Sequence, residues 1–350
     1  MTEKEFRVIL SEVDELFSVK KIGFTKTSWM AVGNIYHGKT IQELKERVDN
    51  LPANVELTDK NGQVWLTAKE KDKPLLVIPT TNLILFLITI LTTMLAGSVM
   101  EGGHPFTHLS DIGKGVPFSF TLMLILGFHE FGHYYYARKH NVDVTLPYFI
   151  PAPTFIGTLG AFIKIKSPIQ NRKALLDIGA AGPIAGFIIA IPVLFIGLSM
   201  SQIVQIEPGQ GIILGDSILM KVATSLIFPG LAENKDIMLS SVAFAGWIGL
   251  LVTMLNLLPI GQLDGGHIAY AMLGEKQQHL AKFAFLALLP LSLLSLNWLF
   301  WAFLILLLMR TVKHPPILDI DSPLTRREKV IALSCLVIFI VCFIPVPFSG

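Results

Sequence analysis

The feature that most limits this chain is a charge-free apolar run that passes directly into a cluster of ionisable side chains. Phe118 to Phe128 contains no charged residue, and the stretch Leu122 to Arg138, LMLILGFHEFGHYYYAR, carries His129, Glu130 and His133 before its first arginine. An H-E-x-x-H on a helix sets two histidines one turn apart on one face, where both imidazoles can hold one Zn2+. The intervening glutamate then reaches a water beside the metal, as the general base of a zinc peptidase does. In lipid these residues carry extra weight. A charged side chain at bilayer depth costs about 2.5–3.5 kcal/mol on insertion scales, so such residues face a cavity and mark a function. The expected site lies within the bilayer towards one end of a span, and it is incomplete, because catalytic zinc takes three protein ligands and keeps one position open.

A candidate third ligand lies far downstream. Ile237 to Leu263 contains no Asp, Glu, Lys or Arg, and from Asn256 the chain reads NLLPIGQLDGGHIAYAML. Asp264 closes this second apolar run, which is interrupted by Pro259 and Gly261 and followed by Gly265 and Gly266. A carboxylate oxygen is a suitable zinc ligand, and the interruptions free backbone groups where irregular structure can line a cavity. By itself L-D-G-G is a turn sequence; its pairing with an intramembrane H-E-x-x-H makes Asp264 a candidate. His267, three residues on, is a rival.

The HEFGH of His129 to His133, with the NLLPIGQLDGG of Asn256 to Gly266 on another span, resembles the site-2 protease family of intramembrane metalloproteases. GAAGPIAGF, Gly179 to Phe187, is similar to that family's small-residue motif, and the resemblance covers about residues 75 to 275. It implies one Zn2+ per chain bound by His129, His133 and Asp264, with Glu130 activating the water and Asn256 holding the substrate backbone or polarising its carbonyl. It also implies membrane-anchored, single-span protein substrates of a regulatory kind, and a membrane-associated sheet or re-entrant hairpin near the site. His314-Pro-Pro resembles a feature that follows the active-site spans in part of the family.

Composition agrees with this class. Of 350 residues, 52% are hydrophobic and only 15% charged, which describes a polytopic membrane protein with a modest soluble part. A net charge of +2 is too small for nucleic-acid binding. Cys335 and Cys342 lie in the last apolar segment and are expected to pack there, not to bridge or bind metal. Charges spread through the first residues argue against a cleavable signal peptide. Two other classes stay open. A metal-ion transporter predicts further polar residues along several spans, whereas here they concentrate in two motifs. A catalytically idle membrane scaffold predicts loss of Glu130 or a ligand, and all four residues are present.

The expected fold is a polytopic α-helical membrane protein of about six or seven spans, with a membrane-associated β-hairpin or re-entrant segment and a small N-terminal α/β soluble domain. Residues 1–73 read as that domain, in the order α-β-α-β-β. Thr2 to Glu5 forms a capping box before a helical face of Phe6, Ile9, Leu10, Val13 and Phe17. Trp29 to Tyr36 reads as a strand, Thr40 to Leu51 as a second helix, and Asp59 to Gly62 as a hairpin turn. Pro74 marks the boundary to the membrane-embedded metalloprotease domain, 74–350, whose core motifs fall in 118–275. His37 reads as a surface histidine, and His104 and His108 lie in a loop composition. Between Val142 and Lys173, a strand or hairpin over Ile156 to Ile165 pivots about Gly157 and Gly160; its exposed edge either binds substrate in extended form or belongs to an interfacial loop that only covers the helices. The Gly179, Gly182 and Gly186 spacing serves close helix packing, and Ser217 to Phe228 reads as an interfacial helix. Phe283 to Met309 is one kinked span or a hairpin of two. Lys and Arg cluster in 1–73, 138–173 and 310–329, whereas 101–117 has only Lys114, so the N-terminal domain is expected on the cytosolic side.

Overall fold

The computed structural model describes residues 3–24, 28–49, 51, 54–60, 63–69, 78–205, 213–232, 234–309, 311–317 and 319–349. The chain divides into two compact units, 1–77 and 78–350. The capping position Thr2, the turn residues 61–62 and the boundary proline Pro74 lie outside the described residues.

In the first unit, α1 (Glu3–Ser11) is followed by β1 (Phe17–Phe24), β2 (Ser28–Ile35), α2 (Ile41–Asp49), β3 (Asn54–Lys60) and β4 (Gln63–Lys69). The strands form one antiparallel sheet in the order β1-β2-β4-β3. Every second residue of β4 (Val64, Leu66, Ala68) faces a core shared with Phe6 and Ile9 of α1 and Leu44 and Val48 of α2. One sequence expectation fails here. The helical face does not run on to Phe17; the helix stops at Ser11, and Phe17 opens a strand absent from the expected order. Phe17 fits either period, and its backbone pairing with Ile35 on β2, a long-range contact, decides between them.

The second unit begins with α3 (Thr80–Met100). A 3-10 turn, Leu109–Gly115, leads into α4 (Val116–Lys139), and β5 (Tyr148–Pro151) and β6 (Thr158–Phe162) precede α5 (Arg172–Ser199). Among the described residues these three helices are long and apolar enough to cross a membrane, the second counted from Leu109. Leu83, Leu87 and Leu91 on α3, Phe120 and Phe128 on α4, and Ile188 and Ile196 on α5 are exposed, a surface that water tolerates poorly and lipid solvates. Inside, Phe118, Leu122, Leu175, Leu176 and Ile178 join one core.

The rest of the unit comprises β7 (Gln202–Gln205), β8 (Ile213–Leu214), α6 (Ile218–Ile227), β9 (Lys235–Met238), α7 (Ser241–Asn256), α8 (Asp264–Leu273), α9 (Gln277–Ser292), α10 (Asn297–Met309), α11 (Arg326–Cys342) and β10 (Phe348–Ser349). Ser217 caps α6 and Ser240 caps α7, each accepting from the amide three residues on. The apolar run around Pro290 is two helices, α9 and α10, packed on each other. α5 lies against α4, α7 and α8, so both motif-bearing regions meet on its surface.

The two-stranded ribbon is antiparallel, with Tyr148 opposite Phe162 and Phe149 opposite Ala161. β6 falls inside the expected stretch, but its partner lies upstream of it, at Tyr148–Pro151. Gly157 (φ +82°) completes the turn between the strands, and Gly160 (φ +102°) sits within β6. α3 buttresses the ribbon: Asn82 Nδ2 donates to the Leu146 and Pro147 carbonyls, both at 2.9 Å, and Thr92 Oγ1 donates to the Gly157 carbonyl at 2.6 Å. α3 is tied to α4 by a buried 2.7 Å hydrogen bond between Thr93 and Ser119. At the far end of α4, His140 meets the buried Asp177 of α5 at 2.8 Å, a pairing that sequence reading missed.

Candidate metal centre

The two histidines of α4 sit one turn apart, and the break after α7 brings Asp264, the first residue of α8, to the same place. α7 ends at Asn256, and Pro259 prevents its continuation through the turn that follows. His129 Nε2 and His133 Nε2 are 3.1 Å apart. Asp264 Oδ2 lies 3.2 Å from His129 Nε2, and Oδ1 lies 3.2 Å from His133 Nε2. Four ligands about 2.0–2.1 Å from one tetrahedral ion are separated by about 3.3 Å. The three donor groups are therefore spaced as one such ion requires. Among the described residues they form the one group of three or more such donors with metal-binding spacing.

Their surroundings orient them. His133 Nδ1 lies 2.8 Å from the Ile178 carbonyl, which can only accept, so Nδ1 carries the proton and the Nε2 lone pair points to the centre. α5 forms the wall behind both rings, and its three spaced glycines explain how it comes so close. A Cβ on Gly182 would overlap His133 Nε2, one on Gly186 would lie 3.2 Å from His129 Cβ, and one on Gly179 would lie 2.7 Å from His267 Cβ. The small-residue stripe does serve packing, as expected, and at Gly182 and Gly186 what it packs against is the donor set.

Glu130 is buried, at 5% exposure, and the backbone N–H of Ile163, one residue beyond β6, faces its carboxylate. Asn256 Nδ2 lies 3.3 Å from His129 Nε2, at the edge of the donor cluster. The two glycines expected to touch substrate part company. Gly157 backs onto α3, where a Cβ would meet the Thr92 carbonyl, while nothing lies within 4 Å of a Cβ on Gly160. His267, the rival ligand, turns Nδ1 to His314 at 2.6 Å and does not join the cluster. Cys335 and Cys342 are buried, free thiols on α11.

A family model described as peptidase family M50 matches residues 117–296, a stretch that contains His129, Glu130, His133, Asn256 and Asp264. The chain belongs to peptidase family M50, the site-2 protease family. Curated relatives agree. The chain is 30% identical over 254 residues to "probable zinc metalloprotease EGY2, chloroplastic" of Arabidopsis thaliana, covering 70% of this chain and 44% of the relative. It is 28% identical over 255 residues to "probable zinc metalloprotease EGY1, chloroplastic" of the same plant, covering 71% and 45%. The matched stretch thus spans less than half the length of either relative. No solved structure matched significantly. As an M50 member with apolar helices of spanning length, the chain is a membrane protein. Zn2+ is the metal this family implies, and two imidazoles with one carboxylate at the observed spacing are a donor set that fits it.

Proposed function

We propose that this chain is a zinc-dependent endopeptidase that hydrolyses peptide bonds within or beside the transmembrane segments of membrane-anchored proteins. The observation that carries the reading is the convergence of His129, His133 and Asp264 from two separate elements, with a buried carboxylate on the same helix, in a chain of a peptidase family. His129, His133 and Asp264 hold the metal. A Zn2+ bound there supplies Lewis acidity at the scissile carbonyl and brings the pKa of a water down to ~7. Glu130 takes the proton of the attacking water and passes it to the departing amine. Asn256 donates to the substrate backbone or its carbonyl.

The ribbon β5–β6 supports the substrate side of the reading. It ends beside Glu130 through Ile163, and an exposed strand edge holds an extended peptide through backbone hydrogen bonds with little demand on sequence. A substrate helix unwinds locally to use it, because its own hydrogen bonds shield the peptide bonds. Single-span regulatory proteins suit such a site, since a lone helix has no bundle to leave. In this reading α7, the α9–α10 pair and α11 also lie in the membrane, giving about six or seven crossings. The N-terminal unit then faces the cytosolic side, where the clusters of Lys and Arg belong.

The test is cleavage of a panel of single-span proteins by the full chain in detergent. Cleavage is expected to disappear when a chelator removes zinc and to return when zinc is restored. Undiminished cleavage by metal-free protein contradicts the reading, and zinc transport into vesicles without any cleavage points to a transporter instead. A proline at the exposed Leu159 of β6 is expected to lower kcat/KM while leaving zinc content unchanged, because it removes one backbone donor and distorts the edge. Unaltered kcat/KM would remove the ribbon from the substrate site.

A further inference from the structure

Outside the metal centre, the segment after α10 makes buried contacts that the proposed mechanism does not use. Residues 311–317 lie against the helix that presents Asp264. The Val312 carbonyl accepts from the Gly261 N–H at 2.9 Å, just ahead of α8. Two residues on, His314 is 8% exposed, and its Nε2 lies 2.6 Å from His267 Nδ1. Its ring stacks on Tyr270, with centroids 4.5 Å apart and planes inclined by 18°. His314 Nδ1 lies 2.5 Å from the Pro315 carbonyl, which can only accept. Nδ1 therefore carries the proton, Nε2 is the acceptor, and His267 Nδ1–H donates to it. Burial pushes the His314 imidazole down to about 4, which keeps that acceptor free near neutral pH.

α8 is only ten residues long, so its orientation depends on what holds it. Its far end is fixed by Arg172, which donates to the carbonyls of Ala271 at 2.7 Å and Met272 at 3.1 Å. Near its start the hold comes from His314, through His267, which follows Asp264 by one helical turn. The geometry points to His314 as a positioning residue for the metal centre. By accepting from His267 and stacking on Tyr270, it sets the rotation of α8 and so the direction in which Asp264 presents its carboxylate to His129 and His133. This rests on the metal-site reading given above.

The experiment compares Zn2+ affinity, by chelator competition, and the visible spectrum of the Co2+-loaded full chain across variants. His314→Phe keeps a ring over Tyr270 but removes the acceptor; His314→Gln keeps an acceptor towards His267. Partners that orient metal ligands are worth about 10–100-fold in metal affinity, so His314→Phe is expected to lose that much and to shift the Co2+ bands, with His314→Gln returning to within about threefold of wild type. If His314→Phe does not fold, His267→Phe removes the same hydrogen bond from the donor side and is read in the same way. Wild-type affinity and spectrum in the phenylalanine variant, alongside loss of metal in Asp264→Ala, would overturn the role of His314 and leave the metal site standing. Wild-type metal affinity in Asp264→Ala would overturn the metal-site reading and this proposal with it.

Discussion

Glu130→Gln is expected to keep its zinc and lose its activity. Glutamine has nearly the volume of glutamate, so the buried site keeps its packing. None of the three donors is altered. What disappears is the only carboxylate on α4, and with it the proposed acceptor of the water's proton. A positioned general base contributes about 10²–10⁴-fold, and in the proposed reaction the same group serves twice, accepting the proton and then delivering it to the amine. A loss towards the upper end of that range is expected in kcat on a single-span substrate, with zinc content unchanged by mass spectrometry. Cleavage within about tenfold of wild type would remove Glu130 from the role of base.

Gly182→Ala sets two effects against each other. Alanine in place of glycine inside a helix is ordinarily stabilising, by about 0.8–1.0 kcal/mol. At this position the added methyl overlaps His133 Nε2, the atom that faces His129 and Asp264. The ring and the helix behind it cannot both stay, and the strain of overpacking, about 1–3 kcal/mol, exceeds the gain in propensity. Zinc affinity is expected to fall at least as far as for a lost orienting partner, about 10–100-fold, and thermal stability with it. Gly186→Ala, whose methyl would lie 3.2 Å from His129 Cβ, has a smaller expected effect. Gly127→Ala on α4 is the control, since nothing lies within 4 Å of its Cβ, and zinc binding should be unaffected. Equal zinc affinity in Gly182→Ala and Gly127→Ala would mean that α5 does not form the wall of the site.

How much of this was legible in the sequence depends on the reach of each contact. The spacing of His129, Glu130 and His133 carries its own geometry, because a helix converts i and i+4 into one face. Asp264 was readable only in company: L-D-G-G alone is a turn sequence, and it was the intramembrane H-E-x-x-H that made Asp264 a candidate and the family resemblance that set it above His267. The glycine stripe was visible as a motif, but its opposite face was not, since only the folded packing of α5 on α4 and α8 shows that Gly182 and Gly186 meet His133 and His129. β1 was lost because Phe17 satisfies two periods at once. The upstream partner of β6 was missed because Pro147 and Pro151 made Tyr148 to Pro151 look like loop. His314 and His267 are far apart in the chain, and nothing local to either announces the hydrogen bond between them.

X-ray absorption at the zinc edge of the purified 350-residue chain tests the central claim most directly. One zinc per chain is expected, with two imidazole nitrogens at about 2.0–2.1 Å, oxygen donors at about 2.0–2.2 Å and no sulfur. Asp264→Ala should then lose an oxygen donor or the metal itself. A sulfur neighbour at about 2.3 Å, or a folded wild-type chain that takes up no zinc, would contradict the account.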